Sequence, residues 1–301
     1  MNASPPPPAC LKRLKTIASA VILGLRLIQP SHAEQTAEPK LVLYKTTTDA
    51  KQTPVKLHLH VFTPSGQHDK TDRPAIVFFF GGGWMGGTPS QFYSQCRHLA
   101  QRGMVAISAE YRTAKPHGTT PAECVNDGKS AIRYVRAHAK SLGIDPQRIA
   151  AGGGSAGGQI AAATATLTSF DDPDDDPAVS ARPDALVLYN PVFDNGPSGY
   201  GHDRVKAYWQ SFSPLHNLTA KTPPSIVFLG TNDNLIPVAT AENFRDTMRK
   251  LGVRSELFLY DGQSHGFFNA KNPEYHEKTL AETDRFLTSL GFLLPPTSNT
   301  Q

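Results

Sequence analysis

The stretch Gly152 to Gly158, reading Gly-Gly-Gly-Ser-Ala-Gly-Gly, narrows the choice of fold more than any other part of this 301-residue chain. It follows the short run Arg148 to Ala151 and opens into the alanine-rich segment 159–167, a strong helix former. A strand that turns directly into a helix brings backbones close together, and glycine removes the side chains that would collide there. Within this stretch Gly153-Gly154-Ser155-Ala156-Gly157 has the GxSxG form, which holds a serine on a sharp turn and lifts its hydroxyl above the sheet. A phosphate-binding turn is the competing reading. The lysine of a P-loop is absent and GxGxxG does not occur, so that reading lacks support.

The segments around this turn repeat one rhythm. From about Lys40 onward short apolar strands alternate with helical stretches, as in a mainly parallel sheet covered by helices on both faces. Val55 to Phe62 places Val55, Leu57, Leu59 and Val61 alternately against polar partners, which predicts a half-buried antiparallel strand. Its His58 and His60 fall on the opposite, exposed face. Ala75 to Phe80 and Met104 to Ala109 are continuous apolar runs, expected of strands buried on both faces. Thr120-Pro121-Ala122-Glu123 combines an N-cap threonine, a proline in the first turn and a glutamate that closes a capping box, so a helix starts there. Further strands are predicted over 185–189, 225–229 and 255–260, with helices near 237–251 and 273–290. The fold class is therefore α/β. Two stretches break the rhythm: the acidic, proline-bearing 171–177, read as a surface loop, and 195–217, an aromatic-rich insertion suited to capping a pocket.

Charge and cysteines depend on how the N-terminus is read. Lys12, Arg13 and Lys15 precede the apolar Ile17 to Ile28 and the small residues Ser31 to Ala33, which predicts a signal peptide over 1–33 and export to the periplasm or the extracellular space; Arg26 interrupts the apolar stretch, and an uncleaved anchor or a disordered, mildly amphipathic tail is the alternative. Residues 34–301 are then a single catalytic domain. Cleavage after Ala33 lowers the formal charge from +4 to 0, so nucleic acid is not an expected partner and no membrane association is expected after cleavage. Cys10 leaves with the signal, and Cys96 and Cys124 remain as a pair in an oxidising compartment, where a disulfide is expected; two separate buried thiols are the alternative. Neither cysteine has the spacing of a metal site, no metal is called for, and no cofactor is implied.

A serine at such a turn needs a base, and the base needs an orienting acid. Asp233, in Gly230-Thr231-Asn232-Asp233-Asn234, directly follows the strand at 225–229. His265, in Ser264-His265-Gly266-Phe267-Phe268, follows the last strand and precedes the final helix. Asp194 and Asp261 are less well placed competitors for the acid. A tetrahedral oxyanion would need backbone donors, and Phe80-Gly81-Gly82-Gly83-Trp84 ends an apolar strand with such a loop.

Together, Ser155, Asp233 and His265 in that order and the glycine loop at 81–83 resemble the α/β-hydrolase superfamily, specifically its hormone-sensitive-lipase-like and acetyl-xylan-esterase-like exported serine esterases. The resemblance spans roughly Lys40 to Leu290. It implies Gly82, Gly83 and Ala156 as oxyanion-hole donors and a structural ion pair between Arg112 and Asp127. In relatives the glycine loop begins with His, whereas this chain has Phe80 there. The implied activity is that of a carboxylesterase acting on short-chain acyl esters, with acetyl or feruloyl esters of plant polysaccharide as the substrate class, whether small molecules or polysaccharide-borne. A prolyl-oligopeptidase-type peptidase shares the triad order but resembles a longer chain. A non-catalytic binding module of the same fold would have no reason to keep all three residues. Trp84, Tyr200 and Trp209 are expected as pocket walls, with ordinary packing as the alternative.

Overall fold

The structure is a computed structural model that describes residues 1–5, 38–64 and 72–295. The signal segment expected over 1–33 lies, from residue 6 onward, outside the described residues. The strands are β1 (Lys40–Thr48), β2 (Pro54–Phe62), β3 (Arg73–Phe79), β4 (Val105–Ala109), β5 (Ile144–Gly154), β6 (Ala185–Tyr189), β7 (Ser225–Gly230) and β8 (Ser255–Tyr260). They form one sheet in the order β1-β2-β4-β3-β5-β6-β7-β8. The pairings β1 with β2 and β2 with β4 are antiparallel, and every pairing from β4 to β8 is parallel.

Every residue of β3, β4, β6 and β7 is buried, and apart from Arg73, Ser108 and Ser225 none of these strands carries a strongly polar side chain. Successive side chains of β3 point to opposite faces. Val77 and Phe79 join the core under helices Pro121–Ala137 and Ala156–Thr166, while Ile76 and Phe78 join the core with Phe92, Leu99 and Phe286 on the other face. Each such side chain withdrawn from water contributes about 1.5–3 kcal/mol. Helix Pro121–Ala137 starts as the sequence indicates: Thr120 accepts from the Ala122 N–H at 3.3 Å, and Glu123 accepts from the Thr120 N–H at 2.8 Å.

Edge strand β1 turns Leu41 and Leu43 outward and Tyr44 inward, so its larger aliphatic residues do not mark its buried face. Three of the five carboxylates of the acidic stretch are held by cations of the scaffold. Asp171 pairs with Lys129 at 2.9 Å, Asp172 with Lys45 at 2.5 Å, and Asp175 with Arg133 at 3.1 Å.

The expected disulfide is overturned. Cys96 and Cys124 are separate free thiols, both buried. Cys96 lies on helix Tyr93–Gln101 in one core and Cys124 on helix Pro121–Ala137 in the other, so the sheet stands between them. Each acts as a small apolar residue, and burial pushes both thiols up from their ordinary pKa.

Candidate active site

The C-terminal ends of β3, β5, β6 and β7, with the loop after β8, converge on a cavity of about 280 Å³. At the end of β5, Ser155 adopts φ 54° and ψ −120° before helix Ala156–Thr166 begins. A non-glycine residue there costs on the order of 1–3 kcal/mol and needs strong support. The support comes from β6 and from the segment after it. The Ser155 N–H donates to the Tyr189 carbonyl at 3.0 Å, and the Ser155 carbonyl accepts from Gln159 at 3.1 Å and Val192 at 3.2 Å. Gly157 makes the turn possible, since a Cβ on it would lie 2.0 Å from the Phe79 carbonyl oxygen.

Ser155 Oγ lies 2.9 Å from His265 Nε2, and His265 Nδ1 lies 2.7 Å from Asp233 Oδ2. The second oxygen, Asp233 Oδ1, accepts from the backbone N–H groups of Leu235 and Ile236, both at 2.9 Å. Burial pushes the Asp233 carboxyl up, but the hydrogen bonds from His265, Ile236 and Leu235 outweigh it and hold the group below its ordinary value. The structure thus brings together three residues that stand 78 and 32 positions apart in sequence. With Nδ1–H directed at a carboxylate, Nε2 is left as an acceptor for the Ser155 hydroxyl. Asp194 instead faces His216, and Asp261 accepts from the Thr231 hydroxyl.

The glycine loop after β3 faces Ser155 across the cavity. Gly82 and Gly83 have φ of 123° and 62°, and among the described residues nothing accepts from either N–H. Phe80 occupies the position of the family histidine and is nearly fully buried. It stacks on Tyr111 with ring centroids 4.1 Å apart, and the Tyr111 hydroxyl donates to the Phe80 carbonyl at 2.6 Å. Beneath Tyr111, the Arg112 guanidinium meets both Asp127 oxygens, each at 2.8 Å, and Lys45 reaches the same carboxylate at 2.8 Å. Arg112 and Asp127 lie below the loop and outside the cavity lining. From above, Arg204 donates to the Gly83 carbonyl while lying over the Trp84 and Tyr200 rings.

Of the three aromatic residues expected as pocket walls, only Tyr200 lines the cavity. Trp84, at φ 60°, is absent from the cavity lining, and its indole lies under the insertion. There it packs on Tyr200 and Phe212, and its Nε1–H donates to Gln159 at 3.2 Å. Trp209 packs edge-on against His216 and His202 within the insertion, which folds into helices His202–Val205 and Trp209–Phe212. The remaining cavity lining includes Gln91, Asn190, Leu235, Phe268 and Asn269, none of which the sequence singled out. Asn190 had a usable signal, since it stands directly at the C-terminal end of a central parallel strand. A larger cleft of about 870 Å³ near Lys129, Thr168 and Lys221 contains no part of this arrangement. His58 and His60 both hydrogen-bond to Glu110, at 3.1 and 3.2 Å, and both are half-buried rather than exposed as expected, because Tyr93 of helix Tyr93–Gln101 covers His60 and bonds it at 2.6 Å.

A sequence model of a family described by its alpha/beta hydrolase fold matches residues 76–269, which takes in the glycine loop, the Ser155 turn, Asp233 and His265. The chain belongs to the α/β-hydrolase family. Within it the resemblance is to the hormone-sensitive-lipase-like branch. The apo form of Thermogutta terrifontis esterase 2 is 41% identical and superposes with a TM-score of 0.81, covering 86% of this chain and 97% of that one. Among curated relatives, a probable carboxylic ester hydrolase of Mycobacterium tuberculosis is 31% identical over 62% of this chain and 47% of its own length. An acetylxylan esterase of Xylanibacter ruminicola is 26% identical over 72% of this chain and 45% of its own. The α/β-hydrolase chain described above spans about half the length of the curated relatives it matches.

Proposed function

We propose that this α/β-hydrolase is a serine carboxylesterase for short-chain acyl esters. The observation that carries the reading is the unbroken contact from Ser155 Oγ to His265 Nε2 and from His265 Nδ1 to Asp233, opening into a cavity that Gly82 and Gly83 also line. Ser155 Oγ attacks the ester carbonyl carbon while His265 takes its proton, and Asp233 steadies the resulting imidazolium. The carbonyl π electrons move onto oxygen, where the N–H groups of Gly82, Gly83 and Ala156 receive the oxyanion. Collapse expels the alcohol, protonated by His265, and leaves an acyl-Ser155 ester. Water, deprotonated by His265, attacks that ester and passes through a second oxyanion to release the acid and restore Ser155.

Two features support a short acyl group. The cavity of about 280 Å³ is small, and Thermogutta terrifontis esterase 2 has been seen with propionate and with butyrate bound. Acetyl esters of plant polysaccharide are the natural substrate class this reading names, supported by the likeness to an acetylxylan esterase. Kinetics on para-nitrophenyl esters from acetate to octanoate test it. The expected kcat/KM is highest between acetate and butyrate and falls about tenfold or more at octanoate. A maximum at octanoate would contradict it, and release of acetate from acetylated xylan then tests the polysaccharide.

A further inference from the structure

The glycine loop and the His265 loop leave the sheet from β3 and β8, and three strands, β5, β6 and β7, stand between them. No strand ladder joins the two loops, yet both must meet the same tetrahedral intermediate: the donors at its oxyanion and Nε2 at its attacking and leaving oxygens. A chain of hydrogen bonds along the cavity wall makes the connection. The Gly81 N–H donates to Gln91 Oε1 at 2.6 Å, and Gln91 Nε2 donates to Asn269 Oδ1 at 3.1 Å. Asn269 Nδ2 donates to the Gly266 carbonyl at 2.7 Å, and the Gly266 N–H donates to Asn190 Oδ1 at 2.9 Å. Asn190 Nδ2 then faces His265 Nε2 at 3.4 Å.

All five links run in one direction. The backbone groups of Gly81 and Gly266 fix which end of each amide is oxygen and which is nitrogen. An amide that accepts at one end and donates at the other is polarised by both neighbours, so the bonds on each side of Gly266 strengthen together, and the Gly266 backbone joins the two runs mechanically. Asn190 is fully buried at φ 33°, a left-handed conformation that asparagine tolerates better than most residues. Gln91 comes from the short 3₁₀ turn Pro89–Phe92, so the chain ties segments 178 residues apart.

We propose that Gln91, Asn269 and Asn190 are positioning residues, forming an amide relay that fixes the Gly82–Gly83 donors relative to the imidazole of His265. The relay orders a loop that here begins with Phe80 in place of histidine. Its kinetic readout rests on the serine-esterase reading; a second readout, amide hydrogen exchange, does not.

The test compares Gln91→Ala, Asn190→Ala and the double variant with the wild type, using para-nitrophenyl acetate kinetics and peptide-resolved hydrogen exchange. Each single variant is expected to lower kcat about tenfold while KM stays within about threefold, because positioning acts mainly on the transition state. The double variant is expected to fall no more than about threefold below the worse single, as residues acting as one unit do. Asn190→Ala is also expected to speed exchange around Gly81, in a loop to which Asn190 makes no hydrogen bond. Asn190→Asp keeps the acceptor for the Gly266 N–H and is expected to restore protection there. If Asn190→Ala fails to fold, Gln91→Ala carries the test through faster exchange over residues 264–269. Losses in kcat that multiply in the double variant, or exchange that stays local to each substitution, would overturn the relay. Coupled exchange in a protein without ester hydrolysis would uphold the relay and contradict the esterase reading instead.

Discussion

The turn that carries Ser155 and the loop that carries Gly82 and Gly83 face each other across one cavity, but they are held by different means. Backbone against backbone fixes the first. Strands β3 and β6 flank β5, Tyr189 and Val192 take up the polar groups of Ser155, and Gly157 sits where any Cβ would strike the Phe79 carbonyl. Side chains hold the second at three points, Gln91 at Gly81, Tyr111 at Phe80 and Arg204 at Gly83, and backbone bonds from Met85 to Gly82 and from Ala114 to Trp84 hold its exit. A turn held by the sheet should fail by unfolding. A loop held by side chains should fail by losing activity first.

Two glycine substitutions give that contrast its strongest test. Gly157→Ala forces a methyl group into the backbone of β3 and should cost about 4 kcal/mol or more, in the exceptional range for a single substitution, read as a fall in the urea midpoint. Gly82→Ala also meets backbone, with its Cβ 2.1 Å from the Gly86 carbonyl oxygen and φ at 123°. Gly82 is exposed, however, and the strain can be released by moving the loop alone. Its turnover should fall about a hundred- to thousandfold, as for loss of one oxyanion donor, while the urea midpoint moves far less than in Gly157→Ala. If Gly82→Ala unfolds the protein as readily as Gly157→Ala, the distinction is wrong.

Smaller effects sharpen the comparison. Tyr111→Phe removes the hydroxyl that the buried Phe80 carbonyl accepts from, which should cost about 1–3 kcal/mol and lower kcat more than it changes KM. Acid should act on the Ser155 side through Asp233, whose pKa is held low in the folded protein. A carboxyl depressed on folding adds stability that is present above its unfolded value, near pH 4, and is lost as pH falls through its lower folded value. Asp233→Asn should therefore lose less stability than wild type between pH 6 and pH 3 in matched urea titrations.

How much of this could be read from sequence follows the same division. The strand, turn and helix around Ser155 are written in contiguous glycines and alanines. Asp233 and His265 show through their places just after apolar strands, because a parallel sheet puts strand C-termini on one edge. The glycine loop was visible, but what orders it was not: Gln91 and Asn269 have no period and no local signature, and their contact exists only once distant segments meet. Trp84 is taken up by Tyr200, Phe212 and Gln159, contacts that exist only once the insertion folds over the loop. Cys96 and Cys124 looked paired because two remained after the signal segment was set aside. Helical placement on opposite faces of the sheet, invisible in their spacing, separates them.

The most direct test of Ser155 as the attacking group is covalent labelling. Paraoxon phosphorylates the structural neighbour from Thermogutta terrifontis, and the same reagent can be applied to folded wild type and to Ser155→Ala, with intact mass and peptide mapping as readout. One adduct per wild-type chain, mapped to Ser155 and absent from the variant, together with loss of para-nitrophenyl acetate hydrolysis in the same sample, is the predicted result. A folded wild type that hydrolyses the ester but carries no adduct, or carries it at another residue, would contradict the account.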